Sequence, residues 1–172
     1  THLDGYRPYG YCSPASDLSQ NSIRLLRENG FVYDATMSGD DFTPYWCREG
    51  DQVTEDGAIT FGTRVPVAEL PFSWSLDEFP QMEFVLGPNT TIEGLNDPLK
   101  CERMWLADMD FMAEEVDDGI YTMCFHPQVI GRGARVRVLE RMIERGRELG
   151  LEFKTCLEAV NGWTAKNPFE AA

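Results

Sequence analysis

The chain has 172 residues, is 42% hydrophobic, and carries 29 acidic against 15 basic residues, a formal net charge of −14. This is one domain's worth of chain with enough apolar content for a core, so residues 1–172 are read as part of a single domain. The acidity argues against a nucleic-acid phosphate partner and an anionic membrane surface, and no apolar run approaches the roughly 20 residues of a membrane span.

The chain opens with a Gly-, Pro- and Tyr-rich segment, read as a loop with a short strand near Tyr9 to Cys12. Asp17 to Asn29 predicts a helix, capped by Asp17 or Ser19, burying Ile23, Leu25 and Leu26 and ending at Gly30. Phe31 to Thr36 reads as a strand, and Met37 to Trp46 as an irregular loop carrying Asp40, Asp41 and an aromatic pair. Val53 to Arg64 has the pattern of a hairpin turning at Asp56-Gly57, followed by a strand from Val65 to Pro71. Phe72 to Phe84 is aromatic-rich without a helical period and reads as a long loop, and Gly87 to Asp97 as a second linker.

Pro98 to Val116 is helical, with Cys101, Met104, Trp105, Met109, Met112 and Val116 on one stripe. The next stretch, Gly119 to Arg135, has the most chemistry in it. Ile120 to Phe125 reads as a buried strand that delivers His126 to its C-terminal end, where Pro127 stops it. Gly131 and Gly133 then turn the chain into an amphipathic helix over Arg135 to Glu148, with Arg137, Arg141 and Arg145 facing water. A strand from Leu151 to Thr155 and a helix from Leu157 to Lys166 complete the pattern. Alternating strands and helices predict an α/β fold with a largely parallel sheet.

Only two histidines are present, His2 and His126, so few other side chains could do acid–base work near neutral pH. On its stretch alone, His126 is equally well a core histidine bonded to a carbonyl. The five cysteines (12, 47, 101, 124 and 156) are odd in number, far apart and without a CxxC pair, which predicts reduced thiols in a cytoplasmic protein. No signal peptide is visible. The Asn89-Thr90-Thr91 sequon is read as chance, and an N-terminal nucleophile at Thr1 has nothing near it in the sequence to support it.

Several segments resemble one family. GYCSPASDLSQNSIRLLRENGFVYDATMSGDDFTPYW, VAELPFSWSLDEFP, the W…DMDFM helix and YTMCFHPQVIGRGARVRVLERMIE are similar to the C-terminal part of polysaccharide deacetylases (NodB-homology). The nearest branch holds peptidoglycan deacetylase-like proteins, cyclic imidases and metal-independent allantoinases. The resemblance implies the second half of a distorted (β/α) barrel and hydrolysis of an N-acyl C–N bond. In the family a divalent, zinc-like metal held by an aspartate and two histidines activates water, and a late histidine protonates the leaving nitrogen.

His126, in FHPQ, matches that late histidine and is expected to be the general acid. The aspartates and HxxxH pair of the early motifs have no match here, so the metal ligands are expected on a partner chain that supplies the N-terminal half of the barrel, with none in this chain. The family's arginine in GYRxP is replaced by Cys12, which is either a packing residue or a reactive or ligating thiol; Arg7 is an alternative that could substitute for it in space. Trp74, Asp41 and Tyr45 are expected to line the pocket, with core packing nearly as good a reading for Trp74, and Arg132 or Arg135 to bind a carboxylate near His126 or to pair with helix acids. The many aromatics and few cations favour a small neutral amide, cyclic imide or ureide as substrate, ahead of two alternatives: a sugar N-deacetylase, or a non-catalytic subunit.

Overall fold

A computed structural model describes residues 5–88 and 91–170. Thr1, His2 and the Asn89-Thr90 pair of the sequon lie outside the described residues. In chain order the elements are β1 (Gly10–Tyr11), α1 (Ser22–Glu28), β2 (Tyr33–Asp34), β3 (Tyr45–Glu49), β4 (Gln52–Val53), β5 (Ile59–Thr60) and β6 (Thr63–Glu69). There follow α2 (Glu78–Met82), β7 (Phe84–Leu86), β8 (Thr91–Glu93), α3 (Pro98–Glu115), α4 (Pro127–Ile130), α5 (Ala134–Glu148) and α6 (Cys156–Lys166). They form two compact units, Thr1–Pro71 with Lys154–Ala172, and Phe72–Phe153.

The first unit is built on a four-stranded sheet in the order β1-β2-β6-β3. β1, β2 and β6 run parallel, and β3 is antiparallel to β6, so the expected parallel sheet carries one reversed edge strand. β1 can lie close to β2 because Gly10 has no side chain: a Cβ there would come within 1.8 Å of the Tyr33 ring. Ile23 and Leu26 of α1 pack with Val65 and Val67 of β6 and with Cys47 of β3. The hairpin turning at Asp56-Gly57 forms as β4 and β5.

Two expectations in this unit change. The α1 helix starts at Ser22 rather than Asp17, because Ala15 and Ser16 adopt positive φ and the Ser19 and Ser22 hydroxyls bond the turn's own amides. Leu25, expected inside, is 47% exposed, since the single apolar ridge of this seven-residue helix is carried by Ile23 and Leu26. The strand expected over Phe31 to Thr36 pairs only at Tyr33 and Asp34.

The second unit packs α3 and α5 around Trp105, Met109, Val138 and Met142, closed by Leu76, Met82 and Val129. The Trp105 indole donates to the Ser75 carbonyl at 2.6 Å, and the Tyr121 hydroxyl donates to the Trp105 carbonyl at 2.7 Å. Arg141 and Arg145, expected to face water, instead reach across to α3: Arg141 pairs with Glu102, and Arg145 Nε meets Asp110 at 2.8 Å.

The loop expected over Phe72 to Phe84 contains two short helical pieces. Ser73 caps a 3-10 turn at Trp74–Leu76 and Asp77 caps α2, which is how an aromatic run without periodicity still gains helical turns. The linker expected from Gly87 to Asp97 includes β8, which pairs with β7. Two expected strands are missing. Ile120 to Phe125 makes a single bridge, Cys124 to Asp77. Leu151 to Thr155 makes none, because the Leu151 amide instead closes the end of α5 on the Gly146 carbonyl at 2.9 Å, with Gly150 at positive φ.

Trp105 is wholly buried and hydrogen-bonded, so Trp105→Ala is expected to cost about 3–5 kcal/mol. Denaturant unfolding followed by circular dichroism measures it; a cost below about 1 kcal/mol would contradict this packing.

Candidate functional site

His126 stands at the N-cap of α4, just after the bridge that joins Cys124 to Asp77. The Cys124 amide donates to the Leu76 carbonyl at 3.1 Å and the Glu78 amide to the Cys124 carbonyl at 3.5 Å. This brings the acid pair Asp77-Glu78 alongside the histidine from about fifty residues earlier in the chain. Glu78 is fully buried. One of its carboxylate oxygens accepts the His126 backbone N–H, and the other lies 3.2 Å from His126 Nδ1. An ionised carboxylate only accepts hydrogen bonds, so Nδ1 carries the proton and donates it to Glu78, leaving Nε2 with the lone pair of the neutral ring.

Asp77 Oδ1 lies 3.8 Å from His126 Nδ1 while capping α2 through the Phe79 amide at 2.8 Å. The Phe79 ring sits 5.1 Å from the imidazole, centroid to centroid. The His126 side chain keeps 35% of its surface exposed, so the ring is held at one nitrogen and accessible to a ligand. The Asp77 carboxylate, the Cys124 thiol and the His126 imidazole each place one ligand atom within 4.8 Å of the others. The sequence reading placed no metal ligand in this chain, so this trio is an addition from the structure.

A second cluster belongs to the first unit. Asp34 and Glu69 sit opposite one another in the parallel pair β2–β6 and are both wholly buried. Glu69 Oε1 accepts the amides of Thr36 and Met37 at 2.7 and 2.8 Å, and its other oxygen lies 3.4 Å from the Cys47 thiol. Asp34 Oδ1 accepts the Thr36 hydroxyl at 2.7 Å, while Asp34 Oδ2 has no hydrogen-bond partner among the described residues. Burial and the neighbouring Asp34 charge push Glu69 up to about 8, and burial raises Asp34. At neutral pH the pair therefore carries a proton between its two carboxyl groups. Burial and the same carboxylate also raise the thiol of Cys47, which rules it out as a thiolate nucleophile.

The residues expected to line the pocket are distributed over both units. In the second, Trp74 is 46% exposed and in edge contact with Phe72 at 6.0 Å, so it is not core. Arg132 is exposed, and its Nε donates to the Gln128 carbonyl at 2.7 Å, the last turn of α4, rather than to a helix acid. Arg135 is the arginine that pairs with an acid, meeting Glu83 at 2.7 Å. In the first unit Asp41 is exposed on its loop, whose turn is fixed by Asp40 accepting the Phe42 and Thr43 amides. The Tyr45 hydroxyl accepts the Gly39 amide at 3.1 Å, and burial beside Glu69 raises it. Tyr45 also lines an open cleft of about 470 Å³ with Trp46, Trp163, Arg48 and Arg64. Cys12 is exposed just after β1. The Arg7 guanidinium donates to the Asn29 and Gly30 carbonyls at the end of α1.

The sequence reading missed Asp77, Glu78, Asp34 and Glu69 as site residues. All four are acids set in apolar runs, SLDEF, VYDAT and VAELP, and an acid in such a run must find a buried partner.

No family model matches the chain. Among curated proteins it is 29% identical over 178 residues to a peptidoglycan deacetylase of Helicobacter pylori, a match covering 96% of this chain and 60% of that protein. It is 28% identical over 177 residues to the peptidoglycan deacetylase-like protein FGM2 of Gibberella zeae, covering 92% and 52%. Among solved structures it matches the crystal structure of a protein assigned as a polysaccharide deacetylase from Mycobacterium smegmatis, with a TM-score of 0.72 and 25% identity over 99% of this chain and 54% of that one. The chain therefore spans about half to three-fifths of the length of these relatives. Fold and sequence agree that it resembles the C-terminal part of a polysaccharide-deacetylase (NodB-homology) domain, and its relatives are hydrolases of the deacetylase type.

The Asp34–Glu69 pair sets a pH dependence. Glu69 binds a proton in the folded state up to about pH 8, whereas in the unfolded chain it releases it near 4.3. Its contribution to stability is full below that lower value and is lost as pH rises through the folded value. Thermal unfolding from pH 5 to pH 9 should show stability falling across this window, and Glu69→Gln should flatten the fall. An equal fall in the variant would contradict the shared proton.

Proposed function

We propose that this chain is the part of a sugar N-deacetylase that carries the general acid, acting on peptidoglycan-type glycans or their soluble precursors. The observation that carries the reading is His126 held at Nδ1 by the buried Glu78, with its other ring nitrogen left for a reacting group. The naming of both curated relatives for peptidoglycan favours the sugar amide over a small cyclic amide or ureide.

In this reading water attacks the N-acetyl carbonyl, and the leaving amine must take up a proton as the C–N bond breaks. His126 is the group that supplies it in its protonated form; in that form both ring nitrogens carry protons and Glu78 offsets the new positive charge. Asp77, 3.8 Å from the same nitrogen, adds a second negative charge at that side of the ring. A divalent metal would polarise the carbonyl and activate the water. Its aspartate and histidine ligands match nothing among the described residues, where His126 is the sole histidine, so no step is assigned to it here.

The metal-binding half of the barrel is supplied from outside these residues, by a partner chain. Trp74, exposed in the same unit as His126, is the aromatic surface for stacking a sugar ring. Arg132 and the cleft-lining Tyr45 remain candidates for substrate contact, as do Asp41 and Cys12. No helix among the described residues is long and apolar enough to cross a membrane.

The test uses the natively purified assembly. Mass spectrometry should find a second polypeptide and about one divalent ion per copy, and the assembly should release acetate from N-acetylglucosamine oligomers. His126→Ala is expected to lower the turnover by about 10²–10⁴-fold. Full turnover in that variant would overturn the role given to His126, and turnover of cyclic imides alone would overturn the sugar substrate.

A further inference from the structure

The trio Asp77, Cys124 and His126 has a chemistry that the deacetylase reading does not use. Deacetylation needs the imidazole and its carboxylate partners; it has no task for a thiol beside them. Cys124 is nonetheless two residues from His126 on an extended segment, and its backbone is fixed to Asp77 by the bridge and by the Cys124 amide on Leu76. One donor atom from each of the three lies within 4.8 Å of the other two. In a tetrahedral zinc site, with metal–sulfur bonds near 2.3 Å and metal–nitrogen or –oxygen bonds near 2.0 Å, donors of this set stand about 3.3–3.5 Å apart. Asp77 Oδ1 lies 3.8 Å from His126 Nδ1, so the ion would bind on the Nδ1 side of the ring, in place of the Glu78 hydrogen bond.

We propose that Asp77, Cys124 and His126 form a binding site for a thiophilic divalent ion of the zinc type, with water as the fourth ligand. One further feature favours it: His126 is partly exposed, which gives an ion a path to the site. The thiol selects zinc, cobalt(II) or cadmium over magnesium and calcium, and binding releases the thiol proton to solvent.

An ion at Nδ1 would keep the ring from taking the second proton that the general acid needs, so occupancy would silence it. This consequence rests on the role proposed for His126 above; the binding itself does not.

The probe is cobalt(II), added to the 172-residue chain and followed by absorption. One equivalent is expected to give a thiolate-to-cobalt charge-transfer band. Zinc should abolish the band by displacement and magnesium should leave it, Cys124→Ser should lose it, and Cys156→Ser should keep it. A second readout needs no variant. Alkylation of Cys124, mapped by peptide mass spectrometry, should slow at least about ten-fold with zinc and not with magnesium. No band, a band that survives Cys124→Ser, or alkylation of Cys124 unaffected by zinc would each overturn the site. A His126→Ala protein that kept full turnover while the wild-type chain gave the cobalt band would remove the catalytic role and leave the metal site standing.

Discussion

A carboxylate with no exposed surface is costly unless something answers its charge, and Glu78 meets that demand with one residue. Both of its oxygens accept from His126, one from the backbone amide and one from the ring. The backbone bond satisfies an amide at the start of α4 that no helical carbonyl reaches. The ring bond fixes which nitrogen holds the proton. A single buried acid therefore couples α2 to α4, each of which inserts apolar side chains into the core, Met82 from one and Val129 and Ile130 from the other. The histidine's chemistry is a consequence of the same contact: a ring held at Nδ1 can present only Nε2.

The first unit answers the same electrostatic problem differently. Among the described residues no cation pairs with Asp34 or Glu69, and one proton and four donors do the balancing: two amides, a hydroxyl and a thiol. The pair sits where β2 and β6 end, and Glu69 pins the amides of Thr36 and Met37, the first residues of the loop that carries Asp41. Its role is positional: it fixes where that loop departs from the sheet.

The long amphipathic segments were legible in the sequence because their period is carried by many residues at once. The stripe of Cys101, Trp105, Met109 and Met112 marks α3 to within one residue at its end, and Val138 with Met142 marks α5. Short extended runs were not. Ile120 to Phe125 is apolar enough for a strand, but a strand exists only if another strand offers a ladder, and here Asp77 offers one bridge. The helical turns within PFSWSLDEFP arise from two caps, Ser73 and Asp77, not from periodicity. At the site, His126 was legible from its motif. Glu78 was not, since its partner lies 48 residues away and only the fold brings them together.

The most direct test of the Glu78–His126 pairing is long-range nitrogen-15 NMR of the imidazole. The chain has only two histidines, so the spectrum is simple to assign with a His2→Ala variant. In the neutral ring the account predicts a proton on Nδ1 and a bare Nε2 in the wild-type chain, with this preference lost in Glu78→Ala. A proton on Nε2, or a tautomer balance that Glu78→Ala leaves unchanged, would contradict it.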